Sequence, residues 1–419
     1  MDRNITIGVI VIVLVAIIAG GYIAFSGTGG ESGDGKVNMG MLMPLTGDLS
    51  PYGGPMRDGG KLAIEQINDA GGLLDNRKIN LIVEDTETSE TVSVDAASKL
   101  INVNNVPVII GPAGSGSAMA IIDKCITNKV LQIGPSTTSP DFTTYDDDGY
   151  FYRTVPSDAL QGLAMAKLAI QEEYETASTL VLNNAYGTGF EKVFEKEFED
   201  RGGTILNKIK YDPDATTFET EVSKISEGNP DVIMLVSYPE TGSVILRQAY
   251  QEAVMEKSDW LLSEGLKAEN FPEMVGKTDE GNYIIDGFKG TAPDPRVTGP
   301  KYEKFKEDYK AKFGRNPAIF SPNTYDAVAV AALAIQEAGE AKGSALKKHV
   351  TSVANPPGKE VTDLGEAIEL LKQGKEINYQ GASGEITFDN NGDVFGKYVE
   401  WYVDGAKIKL GDRIPVVEE

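Results

Sequence analysis

The side chains best placed for chemistry gather where short apolar runs end. After Val108–Gly111 comes Pro112-Ala113-Gly114-Ser115-Gly116-Ser117, leading into a helical stretch Ala118–Thr127. Small residues at a helix N-terminus let backbone N–H groups approach an anion closely, and Ser115 adds a hydroxyl. After Val130–Gly134 comes Pro135-Ser136-Thr137-Thr138-Ser139-Pro140, a second hydroxyl-rich end. Neither end carries Lys or Arg, so together they suit a carboxylate better than a phosphate. Ser, Thr and Gly also fill ordinary loops, so either cluster alone reads equally as loop chemistry. Further along, Asn183-Asn184-Ala185-Tyr186-Gly187, Ser237-Tyr238-Pro239-Glu240 and Ser263-Glu264-Gly265 end other apolar runs. A tyrosine walls a ligand with its ring and hydrogen-bonds it through its hydroxyl. Of Tyr186, Tyr238 and Glu264, only Glu264 is expected to be charged at neutral pH, and it asks for a cation. An anion receptor facing a lone carboxylate complements a zwitterion, as an α-amino acid is.

Composition narrows the remaining choices. The 419 residues hold 39 Lys+Arg against 63 Asp+Glu, a formal charge of −24. So acidic a surface repels phosphate backbones and excludes nucleic-acid binding in the absence of a basic patch. A single histidine, His349, excludes any site needing two, including most catalytic zinc centres. The lone Cys125 excludes an intrachain disulfide and cysteine clusters for metals. What remains is chemistry of carboxylates, hydroxyls, tyrosines and backbone amides, with no cofactor and no metal.

An enzyme is the rival class. A serine hydrolase would need Ser115 on a strained elbow, but Ala113-Gly114-Ser115-Gly116-Ser117 lacks the first and last positions of Gly-x-Ser-x-Gly. His349 falls in Ser344–Ala354, on an expected helix face in a solvated or partly packed role. A glycosidase needs paired carboxylates, and only Glu264 stands out at the strand ends. Asp389-Asn390-Asn391-Gly392-Asp393 departs from a calcium loop, with Val394 where Gly is required, and reads as a hairpin turn between Gly384–Phe388 and Val394–Trp401.

The elements that must carry these ends follow from periodicity. From Val37 the chain alternates apolar runs with helical patterns, the signature of a parallel α/β sheet. Strands are expected at Val37–Met43, Ile79–Val83, Val108–Gly111 and Val130–Gly134, with helices at Met56–Asn68 and Thr91–Val103. A second series has strands at Thr179–Asn183, Ile205–Tyr211, Val232–Ser237, Trp260–Leu262 and Tyr283–Phe288. Phe190, Val193, Phe194 and Phe198, and later Tyr302, Phe305, Tyr309 and Phe313, are stripes of helical period that face a core. Two series imply two doubly wound parallel-sheet lobes. Ligands of such sheets bind beyond the carboxyl ends of the strands, where strand order reverses. If the lobes face each other, both sets of ends line one cleft.

Ahead of this body, Ile5–Phe25 is an uncharged apolar run. At about 1.5 Å per residue it spans the ~30 Å of a bilayer's hydrocarbon. It is longer than the apolar region of a secretory signal, which favours a retained transmembrane helix, while Ala19-Gly20-Gly21 leaves cleavage open. Arg3 before the run and Glu31 and Asp34 after it place the body on the extracellular or periplasmic side. Ser26–Gly35 reads as a flexible tether.

In order along the chain stand Pro44-Leu45-Thr46-Gly47, Tyr52-Gly53, Ile67-Asn68-Asp69-Ala70-Gly71-Gly72, Ile110-Gly111-Pro112, Gly134-Pro135-Ser136-Thr137-Thr138, Arg153, Gln161-Gly162 and Tyr186-Gly187. With this series the chain, from about Val37 to Trp401, resembles the leucine/isoleucine/valine-binding branch of type I periplasmic solute-binding proteins, the capture subunits of ABC importers. The resemblance implies that Ser115, helped by Thr138, binds a ligand's α-carboxylate. It implies that the Ser136 carbonyl, Thr138 and Glu264 meet the ammonium. Tyr186 and Tyr238 correspond to closing-lobe tyrosines, and Tyr52 and Phe320 to side-chain pocket walls. Ala113 and Gly114 are smaller than the residues found there in some relatives, which implies room for a bulkier ligand.

The implied organisation is a segment 1–30 for the anchor or signal and a linker 31–36. Lobe 1 then takes 37–155 and 291–393, and lobe 2 takes 156–290 and 394–419, joined by a three-strand hinge near Thr154–Ser157, Gly290–Pro293 and Asp393–Phe395. The implied partners are an amino acid and ABC permease subunits with their ATPases, with the membrane reached through the N-terminal helix. A receptor ectodomain would share the same site and differ only in what docks on the closed lobes.

Overall fold

The computed structural model describes residues 35–416. The apolar run Ile5–Phe25 and the tether as far as Asp34 lie outside the described residues, and no described helix is long and apolar enough to cross a membrane.

The first sheet contains β1 (Val37–Met43), β2 (Ile79–Asp85), β3 (Val108–Ile110), β4 (Leu131–Gly134) and β5 (Phe151–Arg153), in the order β2-β1-β3-β4-β5 and all parallel. Between them run α1 (Ser50–Asp69), α2 (Glu90–Asn102) and α3 (Ser115–Asn128). β1 and β3 are buried along their whole length, as strands covered by helices on both faces must be.

After Arg153 the chain crosses to the second sheet. There lie α4 (Asp158–Gln171), β6 (Thr176–Leu182), α5 (Ala185–Glu199), β7 (Thr204–Tyr211), α6 (Glu219–Ile225), β8 (Val232–Val236), α7 (Pro239–Gln251), β9 (Asp259–Leu262) and β10 (Lys289–Pro293). The chain then returns to the first lobe through α8 (Pro300–Phe313) and α9 (Ser321–Ala338). A small parallel pair follows, β11 (Lys359–Val361) with β12 (Ile377–Tyr379), and the chain crosses a third time into β13 (Tyr398–Asp404) and β14 (Lys407–Ile414). The second sheet runs β14-β13-β10-β9-β8-β6-β7.

Three expectations are corrected here. The second sheet is mixed, because β13 pairs antiparallel with both β10 and β14. The strand expected at Tyr283–Phe288 is instead an irregular approach with one isolated bridge, and the sheet takes the next residues, Lys289–Pro293. Gly290 explains the choice: a Cβ there would fall 2.2 Å from the Leu262 carbonyl oxygen and against the Trp401 ring, so only glycine lets β10 lie between β9 and β13. His349 sits between two short helices rather than on a helix face, half-buried, with Nδ1 2.8 Å from Oε2 of Glu337.

The aromatic stripes pack as their period requires. Phe190, Phe194 and Phe198 are fully buried on α5, each contributing about 1.5–3 kcal/mol of burial. Tyr309 is likewise buried on α8. The crossings are clamped by Arg153. Its fully buried guanidinium holds Asp393 through Nε at 2.6 Å and Nη2 at 2.8 Å, and donates to the carbonyls of Thr137 and Ser139.

Candidate functional site

The two sheets repeat one plan. Read from its β7 edge, the second sheet runs β7-β6-β8-β9-β10, the same order as β2-β1-β3-β4-β5 in the first. Each therefore has one place where strand order reverses, between β1 and β3 and between β6 and β8, and that is where helices leave on opposite faces and a crevice opens. Tyr52 follows β1, Ser115 follows β3, and Ser136 and Thr138 follow β4. Tyr186 follows β6, Tyr238 follows β8 and Glu264 follows β9. The reversal points face each other. Tyr52, Ser115, Ser136, Thr138, Tyr186, Tyr238, Glu264 and Phe320 all line one pocket, together with Leu49, Met56, Ala113, Gly114 and Gly265.

The first lobe supplies donors. Gly111, at φ +101°, turns the chain off β3, and a Cβ there would strike the Leu42 carbonyl. Gly114 then stands as N-cap of α3 with no side chain capping the helix, so the first N–H groups of α3 remain for an anion. The Ser115 hydroxyl accepts from the Ser139 N–H at 3.2 Å, and the Ser136 hydroxyl donates to the Ala113 carbonyl at 2.8 Å, which ties the two strand ends together. The helix starts on the opposite lobe differ. The Asn184 side chain caps α5 by accepting from the N–H groups of Tyr186 and Gly187, each at 3.1 Å.

The second lobe supplies the negative group. Glu264 is buried, and burial pushes its carboxyl up to about 7, against the opposing pull of the Tyr186 hydroxyl, backbone N–H groups and Gln161. Nε2 of Gln161 donates to Oε2 of Glu264 at 2.6 Å and to the Thr291 carbonyl at 2.9 Å, fixing the carboxylate from behind. Tyr186 and Tyr238 stack with ring centroids 5.5 Å apart and planes 4° apart. Gly265 is needed beside them, since a Cβ would fall 2.4 Å from the Ser237 carbonyl oxygen.

The lobes touch across the pocket. The Tyr52 hydroxyl donates to the Gly265 carbonyl at 2.9 Å. Asp48 on the first lobe accepts from the Thr241 N–H at 2.8 Å and from the Thr241 hydroxyl, capping α7 from across the cleft. About 30 Å³ is left between the walls, so a ligand enters only as these contacts part.

One implied feature changes meaning. The space at Gly114 does not widen the pocket, because a Cβ there would lie 3.3 Å from the Tyr238 hydroxyl; the missing side chain seats a tyrosine of the other lobe. Sequence reasoning also missed Asp158. It is fully buried in the first turn of α4, its N–H donates to the Thr138 carbonyl at 2.8 Å, and neither carboxylate oxygen meets a donor in hydrogen-bonding geometry. Burial, and then the charge of Glu264, raise its pKa well above the usual range. Phe320 carries a further signal invisible in sequence, a left-handed backbone (φ +66°) at the start of α9.

The sequence and the fold both have relatives among known proteins. Residues 58–405 match the model of the receptor family ligand binding region. A leucine-, isoleucine-, valine-, threonine- and alanine-binding protein of Pseudomonas aeruginosa is 27% identical over 383 residues, covering 89% of this chain and 92% of the relative. A chemotactic signal transduction system substrate-binding protein of Halobacterium salinarum is 26% identical over 370 residues, covering 84% and 83%. The crystal structure of a leucine-binding protein from Thermotoga maritima superposes with a TM-score of 0.76 at 25% identity, covering 90% of this chain and 98% of that one. The chain belongs to the receptor family ligand binding region, and within it to the leucine/isoleucine/valine-binding branch of type I periplasmic solute-binding proteins.

Proposed function

We propose that the chain captures a neutral amino acid, of the branched-chain kind, between its lobes and delivers it to an ABC permease with its ATPases. In this reading the body faces the extracellular or periplasmic side, held there by the N-terminal run Ile5–Phe25, and the lobes divide at the crossings near residues 155, 290 and 393. The observation that carries the reading is the opposition of an uncapped helix N-terminus with hydroxyls on one lobe to the buried Glu264 on the other. Ser115 and the first N–H groups of α3 take the carboxylate, with Thr138 beside them. The Ser136 carbonyl, Thr138 and Glu264 take the ammonium. Leu49, Met56, Tyr52 and Phe320 wall an apolar side chain, and Tyr186 and Tyr238 arrive with closure. Contacts made only in the closed form set how far the ligand shifts the population.

Calorimetry with leucine tests this. Removing one partner of an enclosed ion pair costs about 3–5 kcal/mol, so Glu264→Ala is expected to weaken leucine by more than about a hundredfold. A loss below about tenfold removes Glu264 from the site. The relative acting in chemotaxis supports a second reading, in which the closed lobes dock on a signalling partner. Recovery of permease subunits, rather than a transducer, with cross-linked full-length chain decides between them.

A further inference from the structure

A larger crevice of about 780 Å³ lies beside the chain crossings, reached by Thr154, Pro293 and Phe395, one from each. Tyr52 and Phe320 line both this crevice and the strand-end pocket, standing as the partition between them. The two arginines on its walls, Arg315 and Arg413, are paired. Arg315 pairs with Asp58 at 2.6 Å, and Arg296 and Arg413 both hold Asp294, at 2.8 and 2.7 Å. Glu269, Glu385 and Lys397 also line the crevice but lie open to solvent, which Lys267 does not. Its backbone N–H closes the turn on the Glu264 carbonyl at 3.0 Å, but its ammonium makes no hydrogen bond or ion pair with any described residue. The side chain is half-buried, and burial pushes its pKa down to about 8 despite Glu269 and Asp294 nearby.

A half-buried cation without a partner has lost part of its hydration and gains from an anion that meets it. Pro51, Pro55, Ile319, Ile408 and Leu410 give the crevice stretches of apolar wall, and Phe395 keeps 56% of its surface exposed. A crevice with apolar wall and a convergent polar group is the general form of a small-molecule site. We propose that this crevice is a second ligand site, taking a small organic carboxylate whose apolar body lies along the crevice walls and whose anion is held by Lys267. The site goes beyond amino-acid capture and does not depend on it.

Hexanoate is the probe, titrated calorimetrically into the full chain at about pH 6.5, where Lys267 is charged. Saturable one-to-one binding is expected, weakened about tenfold or more by Lys267→Met and kept within about threefold by Lys267→Arg, which retains the charge. Hexanol, lacking the anion, is expected not to bind. Glu264→Gln is expected to leave hexanoate affinity unchanged. Affinity should fall as the pH rises through 8, where the lysine loses its proton. Absence of saturable binding, indifference to Lys267→Met in a variant that melts like the parent, or an effect of Glu264→Gln as large as that of Lys267→Met would each overturn the proposal. The last outcome would place hexanoate in the strand-end pocket. Failure of leucine to bind would touch only the amino-acid reading.

Discussion

Asp158 is the residue whose energetics are most one-sided. Its carboxylate makes no hydrogen bond of good geometry, and burial and the charge of Glu264 raise its pKa against the pull of the Thr138 hydroxyl and Arg153. Asp158→Asn removes its own charge at nearly constant shape. It is expected to stabilise the ligand-free protein by about 1 kcal/mol and to weaken amino-acid affinity, a trade read from paired melting curves and titrations. A variant that melts lower would show that the carboxylate has a stabilising partner. Glu264 gives a pH signature. Its carboxyl is held at about 7 against an ordinary value of 4.5. Between those values the folded protein binds more protons than the unfolded chain, so its stability falls as pH rises through that window. Ligand affinity runs the opposite way, because an ammonium needs the ionised carboxylate and binding below pH 7 must expel a proton. Leucine affinity should drop by up to about tenfold per unit as pH is lowered below 7, and Glu264→Gln should flatten that slope. Glu264, Tyr186 and Ser115 were legible because charged, aromatic and hydroxyl groups at the ends of apolar runs are conspicuous. Asp158 was not, since an acid after Ser157 at a helix start looks like ordinary capping, and only its burial reveals otherwise.

At the level of elements, the capping of α7 from across the cleft is a contact that exists only while the lobes meet. Tyr238, the residue preceding α7, gives it no side-chain cap, and Asp48 of the opposite lobe does so instead. Burial raises the Asp48 pKa, with the Thr241 hydroxyl and N–H pulling the other way. A helix cap is worth about 1 kcal/mol, so Asp48→Ala is expected to cost roughly fivefold in amino-acid affinity. The loss should appear in dissociation rate, since Asp48 does not line the ligand pocket. An unchanged rate in stopped-flow release would show that the closed form does not rely on this bond. Element reading succeeded where burial on both faces produced unbroken apolar runs, as in β3 and β8. It failed at the sheet edge. Asn391-Gly392 does make a turn, but Asp389 ties it locally by accepting from the N–H groups of Asn391 and Asp393, at 2.8 and 3.0 Å. The hairpin it suggested shrinks to the single bridge Phe388–Val394, and the regular strand begins only at Tyr398. Antiparallel addition of β13 and β14 depends on tertiary pairing with β10, and no local period announces it.

For the whole molecule, two doubly wound lobes were legible from the two series of strands, each ending in polar groups, whereas their shared strand order was not. The facing arrangement of the lobes concentrates negative charge. Closure gathers Asp48, Asp158 and Glu264 at one interface, in a chain whose formal charge is already −24. Added salt acts on this in two directions. It weakens exposed pairs such as Lys196–Asp200 at 2.7 Å and Lys306–Glu303 at 3.5 Å, but each of these is worth only about 0–1 kcal/mol. It also screens repulsion summed over the entire surface, as the Debye length falls from about 30 Å at 0.01 M to about 3 Å at 1 M. The buried Arg153–Asp393 clamp, with Arg153 fully enclosed, is shielded from salt and holds the crossings throughout. Repulsion has the larger sum, so the melting temperature should climb steadily with sodium chloride across that range, and more steeply for the ligand-free protein than for the leucine complex, in which a cationic group already offsets the carboxylates of the cleft. A melting temperature that falls with salt would mean that the exposed pairs, not the net charge, govern the stability of this surface.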